Sequence, residues 1–125
     1  MNVLRQVHAW VAWAVVGLIV VQVFLAGLAI RELGGSGSFE SHRGLGYALG
    51  LVFLALVLTA LGSGRRRIQQ SAGLLGLYVV QSILPNLDPG LPIAAALHPV
   101  NAMLMFALSV WYARSVWRER ATVTA

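Results

Sequence analysis

Residues Ala94–Leu108 read AAALHPVNAMLMFAL, and the fold turns on how they are placed. The stretch is apolar enough for bilayer hydrocarbon, yet His98, Pro99 and Asn101 fall within four positions of one another. A polar group left unpaired in hydrocarbon is costly. A membrane helix that opens on an imidazole therefore has something for that imidazole to hold.

The same character extends along the whole chain. Of 125 residues, 58% are hydrophobic, against four acids and nine bases, far less charge than a water-soluble surface of this size carries. Four segments lack formal charge: Ala9–Ile30, Gly44–Gly64, Ile68–Leu87 and Pro89–Ala113. Each is long enough to cross the bilayer core as a helix, for which about 20 residues suffice. The expectation is an all-α, polytopic membrane protein. It forms one transmembrane domain over residues 1–125, with helices at about 8–30, 40–62, 67–85 and 92–116. Short connections, including the Gly/Ser-rich GGSGS and the proline-rich PNLDPGLP, make successive helices antiparallel neighbours in an up-down four-helix bundle.

All nine bases are arginine, and their placement speaks for topology rather than nucleic-acid binding. Arg5, Arg65, Arg66, Arg67, Arg114, Arg118 and Arg120 fall on one side of a four-crossing chain. Arg31 and Arg43 fall on the other, with Glu32, Glu40 and Asp88. Positive charge collects on the cytoplasmic side, so both termini are expected in the cytoplasm and the chain in a bacterial cytoplasmic membrane. Trp10, Trp13, Trp111, Tyr112 and Trp117 gather at the same boundary, where amphipathic rings settle. The chain has no cysteine, which excludes disulfides, thiolate metal sites and covalent c-type haem. AGLA, ending at Ala29, resembles a signal-cleavage site, but the preceding apolar run is too long for an ordinary signal.

An internal repeat runs through the chain. VVQVFL (Val20–Leu25) near the end of the first helix matches VVQSIL (Val79–Leu84) near the end of the third, pairing Gln22 with Gln81. The helix after each opens on a histidine, His42 in HRGLGYALG and His98 in HPVNAMLMF. Two hairpins running in the same sense make a parallel repeat with a pseudo-two-fold axis along the membrane normal. The first helix is part of this repeat and is therefore read as a permanent span.

His42 and His98 open the two helices that run from outside to inside, which are diagonal in a square bundle. With neighbouring axes 8–10 Å apart the diagonal is roughly 11–14 Å, too wide for direct contact between the imidazoles and suited to a flat tetrapyrrole whose iron takes Nε2 from each ring. The two are the expected metal ligands, and haem b, bound non-covalently, the expected cofactor. One turn further on, the same faces carry small residues, Gly46 and then Gly50 below His42 and Ala102 below His98. They leave space for a porphyrin edge, although a G-x-x-x-G also serves close helix packing. Arg43 and Arg31 are the bases on that side, placed either for haem propionates or for snorkelling to the interface. Gln22 and Gln81 either line the haem or a quinone pocket or bond between helices. Pro99 either bends its helix or sits in its first turn. Zinc and di-iron are poorly served, since Glu40 is the one further ligand in reach. Met103 and Met105 read as packing. His8, beside Trp10, has no counterpart in the repeat and reads as an interfacial side chain, solvated or bonded to a neighbouring carbonyl.

VVQVFLAGLAI, ESHRGLGYALG and ALHPVNAMLMFAL together resemble one four-helix half of haem A synthase. Each half of that enzyme holds haem between histidines on its second and fourth helices. The whole chain also resembles a group of small actinobacterial membrane proteins with the same Gln, His-Arg and Leu-His-Pro landmarks. The resemblance implies haem ligation by His42 and His98. The catalytic half of haem A synthase carries a glutamate three residues before its histidine. Here that place is Phe39, and Glu40 stands two before His42.

The expected function is thus a b-type haem-binding membrane protein with bis-histidine iron near the outer leaflet. It suits electron transfer or haem handling, and the chain is not expected to be an enzyme by itself. Expected partners are the bilayer, haem, and a redox partner, a quinone or a second copy that restores eight helices. Alternatives are a structural or assembly subunit without haem, and a small transporter. The uncharged segments hold no Asp or Glu, which counts against proton-coupled export.

Overall fold

The computed structural model describes residues 3–87 and 90–122. Asp88 and Pro89, read from sequence as part of the third loop, lie outside them. Four long helices form: α1 (Val3–Ala29), α2 (Glu40–Ala60), α3 (Arg65–Ile83) and, after the short α4 (Pro92–Ala95), α5 (Leu97–Thr122). No strand occurs among the described residues. Relative to the sequence ranges, α1 starts earlier, α5 ends later, and the fourth range divides into α4 and α5.

Local chemistry explains the breaks. Gly34 closes the turn after α1 at φ 82°, donating its N–H to the Arg31 carbonyl, in the left-handed region that glycine enters without a Cβ penalty. Gly64 separates α2 from α3 at φ 91°. Pro92 begins α4, Ala96 interrupts the helix, and Pro99 falls in the first turn of α5. There its missing N–H would have had no intrahelical acceptor. Of the two roles open to Pro99, the structure takes the first-turn one.

α1 packs on α2 and α5, and α3 packs on α2 and α5. That is the square arrangement, with α2 and α5 diagonal as expected. The core is apolar: Ala12, Val15 and Ile19 from α1, Leu49, Phe53 and Leu56 from α2, Leu74 from α3, and Met105 and Val116 from α5. The outside is equally apolar, with Leu51 72% and Met103 74% exposed. A helix that is hydrophobic all round needs an apolar solvent. α1, Glu40–Ser63 and Pro92–Arg120 are long and apolar enough to cross a membrane by length and composition. α3 is the exception to the expected four. Its first two turns carry Arg65, Arg66, Arg67, Gln69, Gln70 and Ser71, and it joins the bundle with a more polar face than its neighbours.

Candidate functional site

His42, in the first turn of α2, and His98, in the first turn of α5, meet across the diagonal with ring centres 6.3 Å apart and planes at 75°. The histidine on each helix reaches back to the end of the preceding long helix. His42 Nδ1 lies 3.0 Å from the Gln22 carbonyl and His98 Nδ1 lies 3.0 Å from the Gln81 carbonyl. A carbonyl only accepts, so both Nδ1 atoms carry the proton and both Nε2 atoms present a lone pair. A carbonyl on the outer nitrogen is also how metal-bound imidazoles are usually held, and of the two inner nitrogens that of His98 is itself engaged by the Gln81 side-chain amide.

The neighbouring amides differ between the halves. Gln81 donates from Nε2 to His98 Nε2 at 3.2 Å, and its Oε1 accepts from Asn101 Nδ2 at 2.8 Å. Asn101 also donates to the Leu77 carbonyl. Oε1 of Gln22 is buried with no hydrogen-bond partner among the described residues. The face below His42 is already filled. A Cβ on Gly46 would stand 2.8 Å from Gln22 Nε2, and one on Gly50 would stand 2.8 Å from the Tyr78 hydroxyl. That hydroxyl donates to the Gly46 carbonyl at 3.0 Å. Both glycines are thus points of close helix approach, where sequence reading had reserved open space. Ala102 is half-buried below His98.

Among the remaining candidates, Arg43 and Glu40 are exposed. Arg31 folds its guanidinium over Gly37 in the first loop. Phe39 sets its ring edge-on to His42, with centres 6.1 Å apart. Met105 is buried in the core and Met103 faces outward. No group of three or more His, Cys, Asp or Glu side chains suited to a metal ion occurs among the described residues.

The opposite, arginine-rich end holds a polar network that sequence reading missed. His8 is fully buried, not interfacial. Its Nδ1 lies 2.9 Å from Thr59 Oγ1 and its Nε2 lies 2.8 Å from the Tyr112 hydroxyl. The Thr59 hydroxyl already donates to helix carbonyls, so it accepts from Nδ1, and Tyr112 donates to Nε2. Tyr112, expected in the interfacial belt, is 1% exposed. Arg67, read as a topology signal, is 5% exposed. It donates to Ser115 Oγ at 2.7 Å and to Gln70 at 3.0 Å, and pairs with Glu119. The available signal was the sequence similarity between the two hairpins. The shift that carries Gln22 onto Gln81 carries His8 onto Arg67, and the shift that carries His42 onto His98 carries Thr59 onto Ser115.

Residues 22–86, which include Gln22, His42 and Gln81, match a family described as a family of unknown function, DUF6220. The chain belongs to this family. No curated protein and no solved structure matches it.

Proposed function

We propose that this DUF6220 member is an integral membrane protein that binds haem b, with His42 and His98 as the two axial ligands. The observation that carries this reading is the paired geometry of the two imidazoles. A metal–imidazole bond of about 2.0 Å, added to the roughly 1 Å from Nε2 to the ring centre, is a reach of about 3 Å per histidine. Two histidines facing one ion then stand about 6 Å apart, and these stand 6.3 Å apart. Each has its Nδ1 proton tied to a glutamine carbonyl, which fixes the tautomer and aims the lone pair. A porphyrin supplies the four further donors that the protein lacks. Haem held between two imidazoles has a saturated iron and supplies one-electron redox chemistry.

Arg43 is the exposed base beside His42 and suits a propionate. Gln22 offers an unpaired amide oxygen to the same region, and Gly46 and Ala102 flank it. The chain is similar in plan to one half of haem A synthase. Phe39 packs on His42 where that enzyme's glutamate would stand, so electron transfer or haem handling, with a redox partner, a quinone or a second copy, fits better than oxidation of a substrate. The bundle is further read as two duplicated hairpins, supported by four within-hairpin bonds at matched positions: Gln22–His42 and Gln81–His98 at one end, His8–Thr59 and Arg67–Ser115 at the other. The charge pattern supports an orientation with both termini in the cytoplasm of a bacterial cell.

A second reading rests on His98, whose two nitrogens are both engaged by Gln81, as in a purely structural clamp between α3 and α5. Protein purified in mild detergent separates the two. The haem reading expects a low-spin Soret band that is lost or converted in both His42→Ala and His98→Ala. A colourless protein that takes up no added hemin would overturn it and leave the structural clamp.

A further inference from the structure

Between α3 and α5, at the arginine-rich end, a cleft of about 210 Å³ opens on the lipid-facing side of the bundle. Leu74, Leu77 and Leu108 line it with Gly73, and Gln70, Trp111 and Tyr112 form the wall nearest the arginine-rich boundary. It exists because a bulky residue is missing. Gly73 is exposed, and a Cβ built on it meets nothing within 4 Å. Along α3 the cleft runs from Leu77 to Gln70, roughly 10 Å. That suits a stretch of a single acyl chain.

The mouth of the cleft is what distinguishes it from ordinary lipid-facing surface. Helical periodicity continues the wall of α3 from Gly73 and Gln70 to Arg66, and the wall of α5 from Trp111 to Arg118. Both arginines are exposed. The acid nearest them, Glu119, is already engaged by Arg67 through two nitrogens. On this periodicity Arg66 and Arg118 fall on the two walls just beyond the cleft, toward the arginine-rich boundary, on the side where Trp111 is exposed. Guanidinium groups suit phosphate oxygens, and basic pockets between membrane helices recognise anionic headgroups.

We propose that this cleft is a binding site for an anionic diacyl phospholipid, its phosphate between Arg66 and Arg118 and one acyl chain along Gly73. The site lies at the opposite end of the bundle from the histidines and does not rest on haem binding.

The full chain in mild detergent, titrated with dioleoyl phosphatidylglycerol or dioleoyl phosphatidylcholine, tests this by thermal unfolding and by lipid retained in native mass spectra. Phosphatidylglycerol is expected to raise the midpoint by about 4 °C or more, with phosphatidylcholine leaving it nearly unchanged. The double variant R66Q/R118Q should lose that difference, and Gly73→Leu, whose Cβ meets nothing within 4 Å and whose side chain would enter the cleft, should lose retained lipid while folding normally. Arg65→Gln removes the same charge from another face of α3 and should keep both effects. Equal response to the two lipids, equal loss in Arg65→Gln, or full retention in Gly73→Leu would each overturn the site.

Discussion

At the scale of single residues, the three histidines divide into two kinds. His42 and His98 each use one nitrogen for a backbone carbonyl. His8 uses both for hydroxyls, and its ring stands edge-on to Tyr112 with centres 5.7 Å apart. His8→Phe keeps the ring volume and removes both hydrogen bonds. Thr59 retains helix carbonyls, and the Tyr112 hydroxyl, freed from Nε2, can turn its proton to the Arg67 carbonyl at 3.3 Å. The expected loss is about 1–3 kcal/mol, read from unfolding in detergent, and under the haem proposal the haem taken up per folded molecule stays unchanged. His8 and Gln22 are fourteen residues apart on one helix, roughly 21 Å along its axis. Reduced haem content in folded His8→Phe would show that the two ends are coupled. The glycines make a similar contrast. Gly46→Leu would press on the movable amide of Gln22, whereas Gly50→Leu would press on a tyrosine ring stacked on Phe53 with centres 5.2 Å apart. Gly50→Leu should therefore destabilise the bundle at least as much, by about 1–3 kcal/mol. A fully stable Gly50→Leu protein would mean that Tyr78 moves freely.

Among the elements, α3 is the one whose character the sequence only half disclosed. Its uncharged run is long enough to span, and its Gly/Ser/Gln content was visible. What was not visible is that Arg67 turns inward. Its guanidinium lies over the Tyr112 ring at 5.4 Å and is shared among Gln70, Ser115 and Glu119, pinning α3 to α5. An exposed ion pair contributes about 0–1 kcal/mol. Removing the partner of a buried charge costs several times more, about 3–5 kcal/mol when both groups are buried. Glu119 is itself 64% exposed, so Glu119→Gln is expected between these limits, at about 1–3 kcal/mol. The thermal midpoint of Glu119→Gln checks this, with Glu32→Gln, at the far end of the bundle, as reference. Equal behaviour of the two would place the Arg67 pair among ordinary surface pairs. The helix pattern itself was legible because charge-free runs about the width of a bilayer admit few other structures. The inward turn was not, because it depends on which face of α3 meets Tyr112 and Ser115.

For the whole molecule, the absence of cysteine offers a direct test of topology. Single cysteines at Ser36, in the first loop, and at Ser63, between α2 and α3, should label oppositely with a membrane-impermeant maleimide. Ser36→Cys should react in intact cells and Ser63→Cys after permeabilisation, if the arginine-rich end faces the cytoplasm. The reverse pattern would invert the bundle and place the histidine pair on the inner side. The sequence alone determined the all-helical class and the succession of four long helices. Hydrophobic run length and short loops constrain these locally, without reference to any distant contact. Only the tertiary structure decided that the two imidazoles stand 6.3 Å apart with the backbone carbonyls of Gln22 and Gln81 behind them. It also decided that Gly46 and Gly50 are packing contacts and that His8, Arg67 and Tyr112 are buried. Each of those facts depends on the rotation of one helix about its axis against another. That rotation is set by packing of all four helices together, and no single helix encodes it.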